Sequence, residues 1–370
     1  MIRPPAALGI LGGGQLGRYF VMAARTMGYR TLVLEPDAHA PAGKVADEHI
    51  VAAFGDEAAL KHLASVCSVV TTEFENPPAA ALEWLANHTA VHPSPRAVAI
   101  AQDRRAEKAF LLDAGIPLAP FTLIERADDV AGAASFRFPA ILKTARMGYD
   151  GKGQIAVARH DELATAWSDL DQQPCVLEQR LSLDGELSVV LARGVDGQTA
   201  LSPVAQNTHV DGVLDCTVVP HFVAGATDLS EKIAEAFDYV GVLAVEMFVV
   251  GDQLLVNELA PRPHNSGHWT LDAARTSQFE QQVRAVCGAA LGDASLVAPA
   301  AAMVNLLGDL WVDGEPDWSS VLADPDASLH LYGKVAARPG RKMGHITVTA
   351  ATPDEAHQRA HAIRTSLTTR

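Results

Sequence analysis

Residues 244–269, AVEMFVVGDQLLVNELAPRPHNSGHW, read as two nearly apolar strands that meet at Gly251-Asp252 and run into a proline-broken polar loop. Strands this apolar are buried on both faces. Yet each carries one carboxylate, Glu246 and Glu258. A two-residue turn at Gly251-Asp252 sets Glu246 across from Asn257 and sends Glu258 to the opposite face. A three-residue loop over 251–253 sets Glu246 opposite Glu258 instead. In that register two like charges meet in an oily ribbon, with no counter-charge expected from such a core. Mg²⁺ resolves the conflict, because it takes hard oxygen ligands and leaves positions for substrate phosphates, with Asn257 alongside. A protonated glutamate, or one paired with an arginine, is the alternative.

The loop that follows supplies Arg262, His264, Asn265, Ser266 and His268 between two prolines and a tryptophan. A cation, two imidazoles, an amide and a hydroxyl make a donor set for a small anion beside a metal-phosphate centre. The bland reading is a solvated loop. Upstream, Lys143 ends an apolar strand over 140–143, where an uncompensated ammonium is costly. The glycine-rich segment 148–154 (GYDGKGQ) follows; it suits neither a helix nor a central strand. Such a loop can lie over a polyphosphate, or it can be an exposed turn. At the amino end, ALGILGGGQLGR (residues 7–18) spells strand, glycine turn and helix, with Glu35 closing a second strand. Gly12-x-Gly14-x-x-Gly17 fits a dinucleotide, a phosphate monoester, or a bare turn. Gln15 within the turn counts against the dinucleotide.

Working outward, helices are expected over 16–27, 77–87, 97–114, 161–170, 228–239, 278–290 and 354–367. Strands are expected over 31–34, 69–72, 121–124, 155–157, 176–178, 187–192, 217–219, 303–306, 329–332 and 345–349. The punctuation at His92-Pro93-Ser94-Pro95 and the Ala/Pro-rich stretch 297–301 divide the chain into units of 1–96, 97–296 and 297–370. A chain of 370 residues is long for one domain. Its formal charge of −15, from 29 basic and 44 acidic residues, argues against nucleic acid and anionic membranes as partners. There is no apolar run of about 18 residues and no secretory leader pattern. The four dispersed cysteines fit reduced thiols, and a cytoplasmic protein is expected. GxSxG, HExxH and GxxxxGK[ST] are all missing, which removes the matching hydrolase, zincin and P-loop readings.

LGGGQLGR, GYDGKGQ, NELAPRPHNSGHW and GKVAARPGRKMGH, in that order, resemble the ATP-grasp superfamily. Within it they look like the N5-carboxyaminoimidazole ribonucleotide synthetase family of purine biosynthesis. The likeness covers nearly the whole chain, and NELAPRPHNSGHW is its most specific part. It implies an α/β and α+β architecture: a Rossmann-like pre-ATP-grasp domain, an ATP-grasp body with a mobile lid over about 120–182, and a small strand-rich C-terminal domain. It also implies a homodimer and an ATP-dependent ligase. In that reaction ATP activates bicarbonate as carboxyphosphate, and the amine of 5-aminoimidazole ribonucleotide captures the carboxyl group.

By matching position, the resemblance implies ATP contacts at Arg104, Lys143, Gly148, Tyr149, Asp150, Gly151, Lys152, Gly153 and Gln154. It places Glu178, Gln179, Arg180 and Leu181 beside adenine, Glu186 on the ribose, and His209, Asn257 and Glu258 nearby. Mg²⁺ falls to Glu246 and Glu258, and bicarbonate to Arg262, His264 and Lys334. The ribonucleotide falls to Gln15, Glu73, Tyr149, Asp150, Asn265, Ser266, Lys334 and Arg341. Rival readings are a formate-dependent glycinamide ribonucleotide transformylase, an NAD-dependent dehydrogenase built on the glycine turn, and a non-catalytic nucleotide sensor.

Overall fold

The computed structural model describes residues 1–148 and 151–367. Three sheets organise them. The first is parallel and five-stranded, in the order Glu48–Ile50, Arg30–Leu34, Ala7–Leu11, Cys67–Thr72, Ala90–Val91. Its central strand, Ala7–Leu11, is buried throughout and feeds the glycine turn and the helix Gln15–Thr26, as a βαβ unit requires. That helix packs on Gln278–Val286 from the middle of the chain, so Phe20, Val21, Val33, Val283 and Val286 share one apolar cluster. The N-terminal unit is thereby fastened to the body.

The second sheet has four antiparallel strands: Phe121–Ile124, Cys175–Gln179, Ala140–Thr144 and Gln154–Val157. The third is nine-stranded. It runs from Gln253–Ala260 through Gly241–Val250, Gly185–Arg193, Ala205–Val210 and Val213–Val219, then into Ala300–Leu307, Lys342–Ala350 and Ala327–Leu331, with Thr199–Leu201 paired beside Gly185–Arg193. The C-terminal strands therefore continue the body's sheet through the pairing of Val213–Val219 with Ala300–Leu307, across the seam expected near 297–301.

The hairpin corrects both registers drawn from the sequence. The turn is the two-residue one, with Val250 opposite Gln253 and Met247 opposite Val256, and yet Glu246 faces Glu258. Asn257 is the extra residue of a β-bulge, which restores the alignment that a plain two-residue turn would lose. The helix expected over 97–114 is also two helices, Pro95–Ala101 and Arg104–Asp113. Asp103 interrupts it: extended backbone there lets its carboxylate accept the N–H of Arg105 and start a second helix. The helix expected over 278–290 ends at Val286, and that over 161–170 opens with a 3-10 turn, His160–Glu162. The strand Ala205–Val210 and the helix Glu57–Val66 have no counterpart in the sequence reading.

Candidate active site

A cleft of about 440 Å³ opens where the four-stranded sheet faces the edge of the nine-stranded one. Arg104, Lys143, Gly148, Gly151, Lys152, Gly153, Gln154, Arg180, Glu186, His209, Glu246, Asn257 and Glu258 line it. Ile141, Leu183 and Phe248 complete the wall with apolar surface. Tyr149 and Asp150, expected in the same loop, lie outside the described residues. Gln179 and Arg180 continue the strand Cys175–Gln179, and their N–H groups donate to the carbonyls of Pro120 and Pro139. Leu181 follows directly and is half-buried.

At the inner end stand the two facing carboxylates. Arg104 Nη1 lies 3.0 Å from Glu258 Oε2, so the expected absence of a counter-charge is wrong for that residue. Burial would raise the Glu258 carboxyl, but Arg104 and Lys143 outweigh it and hold it below its ordinary value. Glu246 is different. Burial and then the charge of Glu258 push it up. Its Oε1 is buried and accepts no hydrogen bond, and so is Asn257 Oδ1. The nearest cationic candidate, His264 Nδ1 at 3.5 Å, does not serve. Ser266 supplies the hydrogen bonds that His264 Nδ1 accepts, from its hydroxyl at 2.9 Å and from its N–H. Burial and neighbouring cations also keep the ring neutral. Two orphaned acceptors beside a carboxylate pair are the donor set a hard divalent cation fits.

Lys143 is held from behind. Its Nζ donates to Glu178 Oε2 at 2.7 Å, and Lys108 Nζ lies 2.9 Å from Glu178 Oε1. Burial raises the Glu178 carboxyl, but the two ammonium groups win and hold it at about 2. The side chain of Glu178 thus serves the two lysines. Glu186 and His209 pair at 2.9 Å on adjacent strands. Burial lowers the His209 pKa, and Glu186 and Glu246 more than reverse that.

Beyond the carboxylates the site turns from acceptors to donors. Arg262 is held by Glu75 through Nη2 and by the Pro263 carbonyl through Nη1, which leaves its buried Nε without an acceptor. Because His264 Nδ1 is an acceptor, the ring proton sits on Nε2, a second donor. Ser266 is fully buried; it accepts from Ser188 and orients His264. Asn265 exchanges two hydrogen bonds with Asn305, at 3.0 and 2.7 Å, and so spends its amide on structure. In the C-terminal loop Lys334 donates to the Lys342 carbonyl at 2.6 Å and Arg341 to that of Ala336 at 2.7 Å. Lys44 donates to the Gly333 carbonyl and so ties this loop to the N-terminal unit.

The glycine turn, which opens the helix carrying Gln15, is filled by the protein itself. Gly14 and Gly17 N–H groups donate to Glu73 at 2.8 and 3.0 Å, and Gly13 N–H to Glu35 at 2.9 Å. The group at this helix N-terminus is the Glu73 carboxyl, as in the bare-turn reading of these N–H groups. Sequence reasoning passed over Lys108, Glu75 and Glu107. Glu107 is pushed up to about 8, by burial first, and accepts the Leu259 N–H at 2.7 Å. The positive charge of Lys342 bears on Glu246, His209 and His264.

Three family models match in succession: a ribonucleotide synthetase preATP-grasp domain over 6–102, an ATP-grasp domain over 109–279, and a phosphoribosylaminoimidazole carboxylase C-terminal domain over 301–359. The N5-carboxyaminoimidazole ribonucleotide synthase of Bacillus subtilis is 42% identical, over 96% of this chain and 94% of its own length. The crystal structure of an ADP complex of an N5-carboxyaminoimidazole ribonucleotide synthetase superposes with a TM-score of 0.92 at 37% identity, over 98% of this chain and 97% of that one. The Aspergillus clavatus N5-carboxyaminoimidazole synthase, solved with ADP and 5-aminoimidazole ribonucleotide, gives 0.88 at 31% identity, over 98% of each chain.

Proposed function

The chain belongs to the N5-carboxyaminoimidazole ribonucleotide synthase family of ATP-grasp ligases and catalyses ATP-dependent carboxylation of 5-aminoimidazole ribonucleotide, and we propose that bicarbonate is the carbon source and carboxyphosphate the intermediate. A bicarbonate oxygen takes the γ-phosphoryl group and ADP leaves. The exocyclic amine then forms the C–N bond, the C–O bond to phosphate breaks, and the amine proton departs with inorganic phosphate. Catalysis of such a sequence is positioning and charge neutralisation.

Lys143, Arg104 and the 148–154 loop, with Tyr149 and Asp150, hold the phosphates; Glu178 to Leu181 flank the adenine, with Glu186 and His209 at the ribose. Glu246 and Glu258, with Asn257 alongside, would hold Mg²⁺, which when bound would neutralise phosphate charge. Arg262 Nε, His264 Nε2 and Lys334 bind bicarbonate and the acyl phosphate. Gln15, Glu73, Tyr149, Asp150, Lys334 and Arg341 hold the ribonucleotide, while Asn265 and Ser266 shape the pocket from behind. The enzyme works as a cytoplasmic homodimer.

The observation that carries this reading is the change from orphaned acceptors, Glu246 Oε1 and Asn257 Oδ1 on the two strands of the hairpin, to an orphaned donor, Arg262 Nε, in the loop that follows it. A cation and an anion side by side satisfy all three. ADP release, measured with each substrate left out in turn, should reach full rate only with ATP, bicarbonate and 5-aminoimidazole ribonucleotide together. An equal rate with formate and glycinamide ribonucleotide would refute it.

A further inference from the structure

Away from the cleft, the last helix, Pro353–Ser366, covers the strands Val213–Val219, Ala300–Leu307 and Lys342–Ala350. His357 and His361 are one turn apart on it, so both imidazoles lie on one face, their ring centroids 4.4 Å apart. Beneath them Cys216 points from its strand into the apolar cluster with Ala356 and Ala360. One ligand atom from each of Cys216, His357 and His361 lies within 4.8 Å of the other two. The Nε2 of His361 is buried and has no hydrogen-bond partner.

We propose that Cys216, His357 and His361 form a transition-metal site of the Zn²⁺ class, separate from the ATP cleft. One thiolate and two imidazoles are a soft-to-borderline set that a hard ion such as Mg²⁺ does not choose. Three protein ligands plus a solvent molecule complete a tetrahedron, with bonds of about 2.0–2.1 Å to nitrogen and about 2.3 Å to sulfur. His357 is exposed, so the ion has an entry path and one ligand free to turn toward it. Binding replaces the thiol proton, which is released to solvent.

The neighbouring cation is Arg364. Asp215 holds its guanidinium at 2.6 and 2.9 Å, and its Nη2 lies 3.1 Å from His361 Nδ1. A guanidinium only donates. If Nδ1 binds the metal its lone pair is spent, and if Nε2 binds, the ring proton moves to Nδ1. Either way the Arg364–His361 hydrogen bond breaks on loading, while Asp215 keeps Arg364 in place.

Titration of the purified full chain with Co²⁺ in excess Mg²⁺ tests this. One equivalent should produce a near-ultraviolet thiolate-to-cobalt charge-transfer band that Zn²⁺ then displaces. Cys216→Ala should abolish the band. His357→Ala, at an exposed position that leaves folding intact, should weaken binding by at least about tenfold, with ADP release unchanged. No band in the wild type, a band that survives Cys216→Ala, or unaltered affinity in His357→Ala overturns the proposal.

Discussion

Two carboxylate sites stand at opposite ends of this chemistry. In the N-terminal glycine turn, Glu73 and Glu35 take the N–H groups of Gly13, Gly14 and Gly17, so the protein itself satisfies those donors. In the hairpin, Glu246 faces Glu258 across a bulge, and Glu246 Oε1 and Asn257 Oδ1 accept nothing. The first motif reads as a binding loop and is filled by the fold. The second reads as an awkward core and is left open. A site is marked by polar groups the protein declines to satisfy, since a buried orphan costs about 1–3 kcal/mol that a ligand can return.

The comparison breaks most visibly at Glu246. Glu246→Gln should cut ADP release by at least about a hundredfold, while the urea midpoint holds or rises because a like-charge contact is gone. Retained turnover would end the cation assignment. Glu73→Ala should do the reverse to stability, costing about 2 kcal/mol by stranding the part-buried N–H groups of Gly14 and Gly17. An unchanged urea midpoint would mean those groups find other acceptors. Asp103 offers the smallest test, as a third buried carboxylate of the satisfied kind, bound by Arg105 at 2.9 and 2.6 Å and Arg146 at 3.0 Å. Burial opposes its charge, but these partners hold it at about 2, below the ordinary 3.8. Its contribution is therefore complete above about 3.8 and lost as pH falls toward 2. Asp103→Asn keeps an N-cap and should flatten acid unfolding in that window. Equal slopes in the two proteins would remove Asp103 from the acid response.

Much of this was legible in the chain. The apolar runs located the hairpin, and prolines and glycines marked the loop after it and the segment 148–154. The strand Ala205–Val210 was not legible, because Gln206, Asn207, Thr208 and His209 give it a loop's composition. Its pairing with Gly185–Arg193 and Val213–Val219 overrides that composition and brings His209 to Glu186. The break at Asp103 was readable in principle, as an acidic residue ahead of a helical run. The bulge at Asn257 was not, since one extra residue leaves no mark in a hydrophobic pattern.

The sequence by itself determined the repertoire: which acids, bases and glycines exist, in what order, on which short elements. Those follow from local periodicity and backbone freedom, which act within a few residues. Only the tertiary structure decided the partners. Glu178 lies between Lys108 and Lys143, Glu73 in the turn at Gly14, Arg262 against Glu75, and Cys216 beneath His357 and His361. Each joins residues far apart along the chain, brought together by packing of sheets and helices that no local pattern encodes.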